Sequence, residues 1–168
     1  MSELDATLVA FQMAIQTEID GHNFYQRFAQ WTEDPKAKEM FQRLANDEIM
    51  HLELLRNTKA MLEESGEWAA YRGMKLDPIE GAPIFSRDRV EKNLVAYASE
   101  LSALRVAYLI EKDAVDFYTQ AADKTDDPAG KRMFRDLAEM ERGHLHLLES
   151  EYEFLKGQFQ MTMGFAPF

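Results

Sequence analysis

Glu18, followed thirty residues later by Glu48-Ile-Met-His51, and Glu111, followed thirty residues later by Glu141-Arg-Gly-His144, are two copies of one pattern, offset by 93 positions without an insertion. Four carboxylates and two imidazoles in this order are the set with which a four-helix bundle holds two metal ions at its centre. Within Glu-x-x-His, a separation of three puts both side chains on one helix face about a turn apart, where they reach a common point.

The repeat extends well beyond the ligands. Residues 14–55 and 107–148 share 19 identities in 42 positions. They include Ala14/Ala107, Phe24-Tyr25/Phe117-Tyr118, Asp34-Pro35/Asp127-Pro128, Phe41/Phe134 and Leu44-Ala45/Leu137-Ala138. Shared composition alone predicts matching Leu and Ala but not matching Glu, His, Tyr and Asp-Pro, so the chain reads as a duplicated helical hairpin. Asp34 and Asp127 are expected N-caps, with Pro35 and Pro128 at the first helical position. Helices are expected near 3–31, 35–65, 100–124 and 128–157, with hairpins over about 3–65 and 100–157 in one domain, 1–168. The crossover, about 66–99, contains Gly66, Gly73, Pro78, Gly81 and Pro83 and then a predicted short helix from Ser86 to about Tyr97. Its length suffices to span a helix of ~40 Å.

Heptad spacing defines the inward seams. They run through Leu4, Leu8, Phe11, Ile15, Glu18, His22, Tyr25 and Ala29, and through Ala37, Phe41, Leu44, Glu48, His51, Leu55, Thr58 and Leu62. In the second repeat they run through Tyr97, Leu101, Leu104, Tyr108, Glu111, Val115, Tyr118 and Ala122, and through Gly130, Phe134, Leu137, Glu141, His144, Leu148, Glu151 and Leu155. No lysine or arginine lies on any of them. An unpaired buried charge costs many kcal/mol, so the four glutamates call for cations from outside the chain, and two divalent ions supply +4. Glutamates rotated outward would carry Phe41, Leu44, Phe134 and Leu137 into water with them.

Composition restricts the alternatives. The absence of cysteine excludes disulfides, thiolate-held zinc or iron–sulfur groups, and a thiol nucleophile. A formal charge of −11 disfavours nucleic acid and anionic lipid as partners. No apolar run approaches the ~20 residues that span a bilayer, and Met-Ser-Glu-Leu-Asp does not read as a secretion signal, so a cytoplasmic location is expected. Hard carboxylates with two imidazoles suit iron or manganese better than copper, with zinc a further occupant.

These residues resemble the ferritin-like di-iron superfamily, and within it the rubrerythrin-type proteins. The resemblance covers the duplicated segments, the length and the long central connection. It implies an all-α, ferritin-like antiparallel four-helix bundle with a long crossover between helices 2 and 3. It also implies two iron ions, with Glu18 and Glu111 as the single-helix ligands, Glu48 and Glu141 as bridging carboxylates, and His51 and His144 as terminal nitrogens. Tyr25 and Tyr118 match tyrosines that hydrogen-bond to ligands in such bundles, although as aromatic core they need no such role. Two departures stand out. Rubrerythrins usually end in a cysteine-ligated rubredoxin module, which is lacking here, so electrons are expected from an external donor protein or a small reductant. Rubrerythrins also resemble one another in a further glutamate three residues after the third-helix ligand, where this chain has Ala114.

The implied activity is that of a non-haem di-iron oxidoreductase reducing hydrogen peroxide or dioxygen. Iron handling by Fe(II) oxidation, a manganese catalase-like reaction, hydroxylation of an organic substrate and a purely structural metal bundle are the alternatives. His22, where the second repeat has Val115, reads as a core histidine bonded to a carboxylate or backbone, or else as an added ligand or proton relay. The apolar tail from Gly157 to Phe168 suggests packing on the bundle or across a homodimer.

Overall fold

The computed structural model describes residues 3–68, 73 and 94–164, and omits the side chains of 3–6 and 94–98. Four helices account for nearly all of it: α1 Glu3–Trp31, α2 Pro35–Ser65, α3 Leu94–Lys124 and α4 Pro128–Thr162. The short loops between α1 and α2 and between α3 and α4 end in the expected caps. Asp34 accepts hydrogen bonds from the amides of Lys36 and Ala37, and Asp127 from those of Ala129 and Gly130. Gly66 closes α2 in the left-handed region, at φ 70°, where glycine alone is free of strain.

Cross-helix bonds give the directions. Tyr25 and Tyr118 bond to Glu111 and Glu18 respectively, so seven residues forward along α1 are seven residues backward along α3. Likewise His51 faces Glu141 while Glu48 faces His144, which makes α2 and α4 antiparallel. Each hairpin is antiparallel within itself. Hence α2 ends, and α3 begins, at opposite ends of the bundle. The fold is a ferritin-like four-helix bundle.

Two helix limits differ from expectation. Helix α3 begins at Leu94 instead of near 100, so the last residues of the predicted short helix are its first turn, and Ser86 to Asn93 lie outside the described residues. Helix α4 continues to Thr162 instead of stopping at 157, because Phe159 still packs against the core. Met161 and Met163 beyond it are exposed, while Phe165 and Phe168 lie outside the described residues.

The core forms two apolar halves. One gathers Tyr25, Met40, Phe41, Leu44, Leu104 and Leu155 at the end where α1 meets α2. The other gathers Phe11, Leu55, Tyr118, Met133, Phe134 and Leu137 at the opposite end, closed by the half-buried Trp68. Corresponding rings stack in each, Tyr25 on Phe41 at 6.2 Å and Tyr118 on Phe134 at 6.3 Å. On α1 and α3 the small residues Ala14, Ala103, Ala107 and Ala114 are buried. Between the apolar halves lies a single polar layer.

Candidate metal centre

All six motif residues are in that layer. Glu18, Glu48, His51, Glu111, Glu141 and His144 are each at most 3 % exposed. Among the described residues no lysine or arginine is buried with them. Glu141 turns one carboxylate oxygen to each histidine, at 2.9 Å from Nδ1 of His51 and 2.9 Å from Nδ1 of His144. Glu48 does the same, at 3.1 Å from His51 and 3.7 Å from His144. Glu18 faces His51 alone, at 3.2 Å, and Glu111 faces His144 alone, at 3.6 Å.

Two overlapping groups follow. Glu18, Glu48, His51 and Glu141 form one, and Glu48, Glu111, Glu141 and His144 the other; within each, the donor atoms lie within 4.8 Å of one another. Glu48 and Glu141 belong to both, the arrangement of a pair of ions bridged by carboxylates. The donor atoms also test the fit. Nδ1 of His144 and Oε2 of Glu141 are buried and 2.9 Å apart, yet neither has a hydrogen-bond partner. Native interiors rarely leave buried polar atoms so, whereas lone pairs that converge without bonding each other are what a metal ion requires.

Electrostatics agree. Burial, then Glu141, Glu111 and Glu18, push the Glu48 carboxyl well above the usual carboxylate range. Burial, then Glu141, raises Glu111 to about 7 against the opposing pull of His144. Burial acts on Glu141 in the same sense, but His51 and His144 on either side outweigh it and hold it well below that range. Burial opposes a charge on either histidine, yet the carboxylates around them, Glu141 foremost, raise both well above the usual imidazole value. With only the chain's own charges present, protons remain on part of the site. Full ionisation of the four glutamates calls for added positive charge, which hard divalent ions supply.

The tyrosines serve the site across the bundle. Tyr25 on α1 donates to Glu111 on α3, and Tyr118 on α3 donates to Glu18 on α1. Burial, then the facing glutamate, raises both phenols well above their usual value, so they remain donors. His22 stands apart, half-buried, with Nδ1 2.8 Å from the carbonyl of Ala45, and it belongs to neither ligand group. The structure thus brings eight of the nine sequence-selected residues together and ties the ninth to backbone.

Two features escaped the sequence reading. Asp47, adjacent to Glu48, places Oδ2 3.4 Å from the outer nitrogen, Nε2, of His144. Gly21, buried on α1, lies so close to Glu48 that an added Cβ would sit 3.5 Å from its Cγ. A shallow opening of about 10 Å³ lies between α1 and α3, walled by Thr17, Gly21, Ile110 and Ala114 and floored by the four glutamates. Gly21 and Ala114 are corresponding positions of the repeat. The repeat could have paired them, but a lone glycine in a helix carries no mark of function.

No helix among the described residues is long and apolar enough to cross a membrane. The structure is similar to that of hypothetical protein Pfu-1136390-001 from Pyrococcus furiosus, with 28% sequence identity over 90% of each chain and a TM-score of 0.69. No curated protein gives a significant match. The sequence profile of the rubrerythrin family matches residues 10–152, which include both hairpin turns and all six Glu and His residues of the centre. The chain belongs to the rubrerythrin family.

Proposed function

We propose that the chain is a non-haem di-iron oxidoreductase that reduces hydrogen peroxide or dioxygen with electrons from a separate donor protein. The observation that carries this reading is the sharing of Glu48 and Glu141 between two otherwise separate Glu/His groups. Glu18, Glu48, His51 and Glu141 would hold one ion, and Glu48, Glu111, Glu141 and His144 the other. A ferrous pair, when bound, supplies two electrons together, so that peroxide with two protons goes to two waters and no radical is released.

The chain's own residues do the remainder. Buried carboxylates keep the centre fixed, and the two apolar halves of the core exclude bulk water from above and below. Tyr25 and Tyr118 hold protons one bond from Glu111 and Glu18 and orient those carboxylates. The opening beside Gly21 and Ala114 has room for about one water, so it is a route for a very small molecule to the centre.

The test is anaerobic reconstitution with Fe(II), followed by optical spectra after peroxide, with and without a reductant. Oxidation that only a reductant reverses is the expected result. Oxygen release without reductant would indicate catalase chemistry, and oxidation of many irons per chain would indicate iron handling; either overturns the proposal.

A further inference from the structure

The repeat is symmetric at the six Glu and His residues and at the tyrosines bonded to two of them, but not behind the histidines. Asp47 precedes Glu48, and the corresponding residue, preceding Glu141, is Met140. Asp47 on α2 faces His144 on α4, with Oδ2 3.4 Å from Nε2. By the same pseudo-symmetry Met140 on α4 occupies the position that would face His51 on α2. Every carboxylate paired with His51 among the described residues meets its inner nitrogen, Nδ1. His144 therefore has carboxylates on both sides of its ring, His51 on one.

This difference has a chemical consequence. A carboxylate that accepts from the outer N–H of a histidine fixes the tautomer, leaves the inner lone pair directed at the ion, and increases the basicity of the ring. Removing such a partner typically lowers metal affinity 10–100-fold. A thioether is a weak acceptor without charge and does not replace it. The Asp47 side chain is 21% exposed, so water solvates its charge and it does not add an unbalanced ion to the interior. Met140 instead packs, half-buried, against the apolar cluster of Phe134 and Leu137.

We propose that the two metal positions are inequivalent: Asp47 makes the position served by His144 the tighter and first-filled one, and Met140 leaves the position served by His51 weaker. The proposal rests on the dinuclear reading of the site. In it Asp47 is a positioning residue that acts through His144.

The metal-stripped full chain is titrated anaerobically with Co(II), with binding heat and visible ligand-field absorption followed together. Two steps are expected, separated in affinity by about tenfold or more. His144→Ala removes the tighter step and His51→Ala the weaker. Asp47→Asn, nearly isosteric and partly exposed, weakens the tighter step by about 10–100-fold and leaves the other in place, while circular dichroism confirms the fold. Met140→Asp strengthens the weaker step and narrows the gap. Two indistinguishable steps in the unmodified chain, or a folded Asp47→Asn variant that binds as the parent does, overturn the asymmetry while leaving the dinuclear centre intact. Failure of the parent chain to bind Co(II) at all overturns the dinuclear reading and this proposal with it.

Discussion

The hydroxyl of Tyr25 on α1 is bonded to Glu111 on α3, the corresponding glutamate of the other repeat, and not to Glu18 two turns away on its own helix. Tyr118 and Glu18 return the arrangement. The two hairpins are thus tied at the centre by a reciprocal pair of buried bonds. Glu18 and Glu111 are each oriented by the half of the chain that does not carry them. A hydrogen bond to a charged group contributes about 1.5–3 kcal/mol, and an unsatisfied buried partner adds to the cost of losing it. Tyr25→Phe and Tyr118→Phe are each expected to lower unfolding free energy by about that much in denaturant titrations. A loss within about 0.5 kcal/mol, the range of neutral surface changes, would show that the bonds do not hold the hairpins.

The ionisation of the centre predicts an unusual pH profile for the metal-stripped chain. Glu111 has a folded value of about 7 against 4.5 in the unfolded chain, and Glu48 is raised in the same direction. Groups raised on folding stabilise below their unfolded value and lose that contribution as pH rises through the folded one. His51 and His144 are raised too and act in the same sense at higher pH. Glu141, lowered, gives the opposite dependence and loses its contribution only in acid. The stripped chain is therefore expected to melt highest near pH 4.5 and to lose stability from there through 7 and beyond. Metal binding displaces these protons, so affinity rises with pH and the loaded chain melts higher at pH 8 than the stripped one. A stripped chain that gains stability between pH 5 and 8 would contradict the charge account.

Gly130 gives a test of the packing at the far end of the bundle. A Cβ there would lie 2.6 Å from the ring of Trp68, so alanine displaces the indole from its place on Phe11 and Phe134. Overpacking of this kind costs about 1–3 kcal/mol, more than the ~1 kcal/mol that alanine gains over glycine in a helix. Gly130→Ala is expected to destabilise on balance and to shift Trp68 emission toward that of a solvated indole. Stabilisation with unchanged emission would show that Trp68 does not seat there.

Gly21 tests the opening to the centre. An added methyl meets Glu48 at an ordinary contact distance of 3.5 Å, so Gly21→Ala is expected to hold or raise stability, by up to ~1 kcal/mol. In stopped-flow measurements on the iron-loaded chain it should slow the reaction with peroxide, and Gly21→Leu should slow it far more. Unchanged rates in both would place the entrance elsewhere.

Much of this architecture is written in the sequence because duplication writes it twice. Glu, His, Tyr and Asp-Pro recur at a fixed offset, and that recurrence separates ligands and caps from helix composition. The buried seams of α2 and α4 were legible through Phe41, Leu44, Phe134 and Leu137, which cannot face water together, whereas on α1 and α3 the expected Ile15, His22, Tyr108 and Val115 are only half-buried and the small Ala14, Gly21, Ala107 and Ala114 are buried instead. Helix limits were less legible. The end of α4 depends on Phe159 meeting the core, a tertiary contact with no local signal. The crossed tyrosine bonds, the support of His144 by Asp47 and the approach of Gly21 to Glu48 involve different helices. Spacing along one helix places such residues on a face but says nothing of which partner lies opposite.

The central claim is that two ions share Glu48 and Glu141, and metal content tests it most directly. The chain, purified anaerobically and reconstituted with Fe(II), is predicted to hold two ions per molecule by elemental analysis. The Glu48→Ala, Glu141→Ala double variant is predicted to hold almost none while remaining helical by circular dichroism. A folded double variant that keeps both ions would contradict the account.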